Sequence, residues 1–317
     1  MISKQQKRRR FTYGPVPSRR LGRSLGVSPI PPKTCSYTCA YCQLGRTTDL
    51  RARRKNFFPR EKVLAEIIES ASKGEVDYVT FVGDGEPTLN KDLGWLIQQT
   101  KEKLQLPVAV ITNGSLLFRE DVREDLMSAD VVIPSLDACS ERVFRIINRP
   151  HRNIKFKQVL QGLIDFRLEY SGQTWVEIML VRDLNDTTRQ LRGIKHTIDM
   201  INPDRVYVLT PTRPPAESWV KPSDPETILK AQEIIAGAVP VTELEHGTFG
   251  LGGFPDARQA ILEIGSRHPL RREQVAEIER EFCISGVVRQ MVENKELVNV
   301  KYNGEEYLLP GHFARGR

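Results

Sequence analysis

The chain reads as an α/β protein built from repeated βα units around a parallel sheet, with a smaller helical and strand-bearing unit at its C-terminal end. Three observations predict this. Apolar runs of strand length recur between segments whose apolar residues repeat at helical spacing, the rhythm of a parallel sheet in which every crossover carries a helix. The rhythm stops near Pro222 and gives way, beyond a Gly-rich stretch from Gly247 to Gly253, to three helical segments. Last, Asn303-Gly304 stands between two alternating runs, the sequence of a tight hairpin. A chain of 317 residues has room for one large domain and one small one.

In order, strands are predicted near Leu25 to Ser28, Tyr78 to Val82, Val108 to Thr112, Val131 to Ser135, Thr174 to Val181 and Arg205 to Leu209, six in all. Helices are predicted between them at Arg60 to Ser72, Leu93 to Leu104, Ile154 to Tyr170 and Thr188 to Ile201. The first has Val63, Leu64, Ile67 and Ile68 on one face, and the third has Val159, Leu160, Leu163 and Ile164. The boundaries this implies are residues 1–222 for the α/β domain with a basic N-terminal tail, 223–254 for a linker, and 255–317 for the small unit. Within the last, Ala257 to Ser266, Arg272 to Phe282 and Gly286 to Asn294 read as helices and Leu297 to Leu309 as the hairpin, an arrangement resembling a winged helix. Its third helix offers only Arg289, with Lys295 just after, so a module for protein or RNA fits better than a sequence reader.

The chemistry is concentrated ahead of the second strand. Cys35, Cys39 and Cys42, in Cys-Ser-Tyr-Thr-Cys-Ala-Tyr-Cys, are thiols close enough in sequence to converge on one inorganic centre. Thiolate is the soft ligand of iron–sulfur clusters and zinc. Zinc needs a fourth ligand, and the other cysteines, Cys139 and Cys283, are distant, as is the nearest downstream histidine, His151. A four-iron cluster with one open iron suits three local thiols better. A second motif, Gly83-Asp-Gly-Glu-Pro87, closes the strand from Tyr78, where glycine allows close backbone approach to a ligand; alone it reads equally as a strand-to-helix turn.

In this order the two motifs resemble the radical S-adenosylmethionine (radical SAM) superfamily, whose signature is a Cys-x3-Cys-x2-Cys loop with an aromatic residue, here Tyr41, before the third cysteine. The likeness covers about residues 13 to 215. It implies a partial (β/α)6 TIM-like barrel, a [4Fe–4S] cluster on Cys35, Cys39 and Cys42, and S-adenosylmethionine bound by its methionine amine and carboxylate at the fourth iron. Reductive cleavage of that sulfonium to methionine and a 5′-deoxyadenosyl radical, followed by hydrogen abstraction from a substrate, is the implied reaction. A reductant such as flavodoxin or ferredoxin is the implied partner. Gly83, Asp84, Gly85 and Glu86 match the family's Gly-Gly-Glu-Pro turn, which holds the methionine amine, except that Asp84 replaces its second glycine.

Barrel enzymes work at the C-terminal ends of their strands. That places Asn113, Ser135 and Asp137 where the family contacts the cofactor's ribose and carboxylate, although Asn113-Gly114 also reads as a turn and Ser135 to Asp137 as a cap for a helix from Ser140. Glu177 and Arg182 are candidates to touch cofactor or substrate, whereas Asn185 and Asp186 read as the start of the next helix; Arg213, in Thr-Pro-Thr-Arg-Pro-Pro, can meet an anionic group or stiffen a connector. Cys139 falls near the cavity but reads as a small buried residue, and Cys283, between Phe282 and Ile284, reads as core.

Composition narrows the setting. No segment approaches the length of a membrane span and the basic N-terminus has no apolar run behind it, so a cytoplasmic protein is expected, where an exposed cluster is also protected. A net charge of +7, with Lys7 to Arg10, Arg19, Arg20, Arg23 and Arg51 to Lys55 flanking the cysteine loop, suits a phosphate-bearing partner or a solvated surface. Tyr13-Gly-Pro-Val-Pro-Ser-Arg-Arg20 and Pro31-Pro-Lys-Thr-Cys35 resemble the group related to tRNA wybutosine-synthesis radical enzymes. Those carry a second cluster on earlier cysteines, and none precedes Cys35, so a one-cluster relative acting on a tRNA, a protein or a small molecule is expected. Two other classes stay open: a nucleic-acid or protein-binding module with a structural metal, and an iron–sulfur electron carrier.

Overall fold

The structure, a computed structural model, describes residues 10–242 and 247–311, so the basic tail before Arg10 lies outside the described residues. β1 (Thr12–Ser18) and β2 (Gly22–Val27) form an antiparallel hairpin. The long loop after β2 contains the short parallel pair β3 (Thr34–Cys35) and β4 (Asp49–Leu50). Then come α1 (Arg60–Ala71), β5 (Tyr78–Phe81), α2 (Leu93–Leu104), β6 (Val108–Thr112), α3 (Glu120–Leu126), β7 (Val131–Pro134), α4 (Glu141–Ile147), α5 (Phe156–Glu169), β8 (Gln173–Met179), α6 (Thr188–Ile201) and β9 (Arg205–Leu209). α7 (Pro225–Ile234) and β10 (Val239–Val241) follow.

The sheet runs β1-β2-β5-β6-β7-β8-β9-β10 and curls as an open half-barrel. All six predicted strands are present as neighbours, β2 and β5 to β9, every pair parallel. Leu25, Val79, Val110, Val132, Ile178 and Val208, one from each, are fully buried. Strands covered on both faces read as continuous apolar runs, and each such side chain contributes about 1.5–3 kcal/mol by leaving water. Two strands exceed the expected six. β1 carries Pro15 and Pro17, and β10 carries Pro240 in only three residues, a composition tolerated at the two edges of the sheet because proline cannot donate to a ladder. The segment read as a linker thus continues the βα rhythm through α7 and β10.

The C-terminal unit comprises α8 (Ala257–Gly265), β11 (Leu270–Arg271), α9 (Arg272–Glu281), α10 (Val287–Glu293), β12 (Leu297–Tyr302) and β13 (Glu305–Pro310), with strand order β11-β13-β12. Its hairpin turns at Asn303 and Gly304, both at positive φ (53° and 85°), the backbone that Asn-Gly favours. Its core of Ala260, Ile261, Ile264, Val275 and Leu308 runs on into Tyr13 and Val16 of β1. The unit is therefore fused to the barrel's first hairpin. Cys283 is exposed, in a left-handed conformation just past α9, which corrects its reading as core: the helix ends at Glu281, and Ile284 beside it also faces solvent. Among the described residues no helix is long and apolar enough to cross a membrane.

Candidate active site

The half-barrel's parallel strands, β2 and β5 to β10, end on one side, and the two sequence motifs meet there. The turn from Gly83 to Pro87 is strapped to the front of the cysteine loop by backbone bonds: Lys33 N–H to Asp84 C=O (2.6 Å) and Glu86 N–H to Thr34 C=O (3.1 Å). Gly85 must be glycine, since a Cβ there would stand 1.8 Å from the Thr34 carbonyl oxygen, and Gly83 has φ +125°, outside the range of other residues.

The Glu86 carboxylate is fully buried and faces inward. It accepts from Thr88 N–H (3.0 Å), Thr88 Oγ1 (2.6 Å), Thr112 Oγ1 (2.6 Å) and Asn113 N–H (2.7 Å). Burial raises its pKa, opposed by these donors. Asn113 in turn donates from Nδ2 to Ser36 Oγ (2.8 Å) and to Cys35 Sγ (3.5 Å). Asp137 is built alike: Oδ1 accepts from Met179 N–H (2.8 Å), and Oδ2 from Tyr41 Oη and Asn148 Nδ2 (both 2.6 Å). Asn148 also lies 3.7 Å from Cys39 Sγ. The two carboxylates thus hold the two asparagines, and the asparagines hold the first two thiols. Sequence reasoning missed Asn148 and Ser36, which carry no local motif.

The thiols are partly buried and feel one another's charge. Burial, then the Glu86 charge, pushes the Cys35 thiol up to about 12, and Cys39 is likewise raised by burial and by Cys35. A metal centre must therefore displace protons from these sulfurs, as thiolate ligation does. Among the described residues no three His, Cys, Asp or Glu side chains are gathered to hold a single metal ion; the donor chemistry of three thiols on one loop, two with N–H donors aimed at sulfur, is that of an iron–sulfur cluster.

The remaining predicted residues separate. Ser135 extends the sheet by a bridge to Glu177 through its backbone. Glu177 sits with Arg20, Oε1 to Nη1 2.5 Å, at the cavity wall. Asn185 is fully buried and ties β8 to the loop after β7, donating to Asp137 C=O and Met179 C=O (both 2.8 Å), while Thr187 caps α6. Ser140, not Asp137, caps α4. Cys139 contacts Gln190 Oε1 (3.3 Å), away from the cavity. Arg213 donates to Gln43 Oε1 (2.7 Å) and meets the His268 ring (3.1 Å to Nε2), so the Pro-stiffened loop joins the cysteine loop to the C-terminal unit.

A cavity of about 370 Å³ opens beneath that unit, lined by Tyr41, Cys42, Gly83, Gly85, Glu177 and Arg213 among others. Another, of about 450 Å³, lies at the opposite ends of the strands around Lys101, Asp130 and Gln173, with no motif residue in its wall. The first is the candidate site, at the end where such barrels act.

Comparison with known proteins shows the family to which the fold belongs. The profile described as "Radical SAM superfamily" matches residues 30–192. UPF0026 protein MJ1312 of Methanocaldococcus jannaschii is 36% identical over 315 residues, covering 97% of this chain and 98% of the relative. Among solved structures, a radical SAM methyltransferase from Sphaerobacter thermophilus aligns over 71% of this chain and 67% of its own at TM-score 0.56 and 14% identity. TYW1 with a lysine-pyruvate adduct bound aligns over 92% of this chain and 80% of its own at TM-score 0.51 and 17% identity. At those identities the structures show a shared fold.

Proposed function

The chain belongs to the radical SAM superfamily, and on that premise we propose that Cys35, Cys39 and Cys42 hold a [4Fe–4S] cluster, with S-adenosylmethionine bound in the adjoining 370 Å³ cavity. It is an enzyme of the radical SAM class. One observation carries the assignment: the cysteine loop and the Gly83–Pro87 turn are joined by backbone bonds at the strand ends that open into this cavity. A cluster held by Cys35, Cys39 and Cys42 would supply one-electron reduction of the S-adenosylmethionine sulfonium, the electron coming from the external reductant, and with it the means of hydrogen abstraction from substrate.

The chain's own residues prepare that site. Gly83 and Gly85 bare backbone along the cavity for the methionine end of the cofactor. Asp137 fixes Tyr41 above the loop, and Asn113 and Asn148 direct N–H groups at sulfur, which stabilises added negative charge there. The C-terminal unit covers the mouth and restricts water, Tyr307 packing with Leu44 and Leu309 beside Cys42.

The substrate proposed is a tRNA nucleotide, read through the cationic wall that Arg19, Arg20 and Arg213 give the cavity, with flavodoxin or ferredoxin as reductant and the cytoplasm as the setting. The winged-helix-like C-terminal unit is proposed as the part that orients the RNA.

The test is anaerobic reconstitution with iron and sulfide, then dithionite and S-adenosylmethionine, with 5′-deoxyadenosine read by mass spectrometry against Cys39→Ala. Product from wild type alone, increased by added tRNA, is expected. A Cys39→Ala protein without iron yet fully active overturns the cluster assignment, and tRNA without effect overturns the substrate.

A further inference from the structure

The chain departs from the family turn at one position, Asp84, and the structure shows what accompanies the departure. The Asp84 side chain is 6% exposed, as is that of Arg267, whose Nε lies 3.3 Å from Asp84 Oδ2. Arg267 stands 183 residues further along, in the turn between α8 and β11. A carboxylate buried at a position where the superfamily pattern has glycine costs desolvation unless a cation is buried with it. Arg267 is itself held: Nη2 donates to Arg10 C=O (2.7 Å), and its guanidinium lies 5.3 Å from the centre of the Tyr13 ring.

Asp84 faces two ways. Its backbone carbonyl accepts from Lys33 N–H, at the entrance to the cysteine loop, and its N–H donates to Ser28 Oγ (3.3 Å). Its side chain meets the C-terminal unit. The Arg267 carbonyl closes the circuit by accepting from Gln43 Nε2 (3.3 Å), next to Cys42. Any shift of the C-terminal unit therefore pulls on the turn from Gly83 to Pro87 at its second residue.

We propose that Arg267 is a positioning residue for the cofactor-binding turn, acting through Asp84, so that seating of the C-terminal unit and binding of S-adenosylmethionine are one linked equilibrium. The inference rests on the radical SAM reading of that turn. On this view an aspartate in the turn is tolerated because an arginine reaches it from the other unit.

The experiment compares wild type, Arg267→Met, Asp84→Gly and the double variant in the full chain. Amide hydrogen exchange across residues 82–90 is measured without cofactor, and S-adenosylmethionine affinity after cluster reconstitution. Arg267→Met removes the cation that faces the buried Asp84 carboxylate, so faster exchange and an affinity about tenfold weaker are expected. Asp84→Gly removes the carboxylate and leaves Arg267 on its contacts with Arg10 and Tyr13. The double variant removes both charges and should recover slow exchange and bring affinity close to wild type.

A double variant no better than the worse single one, or Arg267→Met indistinguishable from wild type in both readouts, overturns the proposal. If Arg267→Met does not fold, folding of the double variant supports the pair and its failure refutes it. Wild type that binds no S-adenosylmethionine overturns the functional assignment instead, and the exchange measurement still decides whether the pair holds the turn.

Discussion

The cysteine loop and the seam beneath the C-terminal unit border the same cavity but are held by different means. Around the loop, buried carboxylates accept from neutral donors: Glu86 from threonines and a backbone amide, Asp137 from a phenol, an amide side chain and a backbone N–H. At the seam, guanidinium groups and phenols reach across: Arg267 to Asp84, Arg213 to His268, Tyr302 Oη to Pro211 C=O (3.2 Å) and Tyr307 Oη to Thr212 C=O (2.7 Å). The loop can thus be preset by the barrel alone. The seam, by contrast, exists only when two units are docked. Guanidinium groups meet at the seam, Arg267 from the cover and Arg213 from the barrel, and neutral donors touch the sulfurs.

Three perturbations would break or sharpen this contrast. The largest effect is expected at the seam, from Tyr307→Ala. Tyr307 is 1% exposed, and truncating a buried aromatic costs about 3–5 kcal/mol. Urea unfolding should show that loss, with the C-terminal unit cleaved first in limited proteolysis; uniform loss of protection throughout the barrel would mean that the two regions are not separable.

Next is Glu86→Gln, inside the loop's support. The amide keeps the shape but turns an NH2 toward groups that are themselves donors, at a cost of about 2–3 kcal/mol. Exchange should rise at Thr112 to Ser115 and leave the C-terminal unit unchanged. A variant as stable as wild type would show that the carboxylate charge is not needed there.

The smallest effect concerns neither region. Asp77, at the far end of the strands, is partly exposed and paired with Arg23, and that hydrogen bond lowers its pKa to about 2. Its folded value lies below its unfolded one, so its contribution is present above about 3.8 and is lost as pH falls toward 2. Glu86 and Asp137 have the opposite sign: burial raises both, so their contribution is present below the ordinary carboxylate range and lost as pH rises through the folded value. Asp77→Asn should therefore remove the acid-side slope between about 3.8 and 2 and lower the curve by a constant amount above it. A changed slope near neutral pH would mean that the pairing with Arg23 is not its cause.

How much was legible follows from the range of each contact. The six central strands were visible because burial on both faces leaves a continuous apolar run, as was the start of α4 at Ser140, whereas β1 and β10 were hidden by their prolines and α3 by having only seven residues. The cysteine loop and the glycine turn were visible because their chemistry is local in sequence. Glu86 and Asp137 were found as residues but not as supports, since a carboxylate's partners are not written beside it.

By itself, then, the sequence determined the barrel's strand run, the thiol triplet and the end of the sheet at which they act, all set by spacing and periodicity within a few residues. Only the tertiary structure decided that Asn148 meets Cys39 across 109 residues, that Arg267 meets Asp84 across 183, and that the C-terminal unit roofs the cavity. Hydrogen bonds and ion pairs between distant segments depend on where the chain folds back. No local pattern encodes that return.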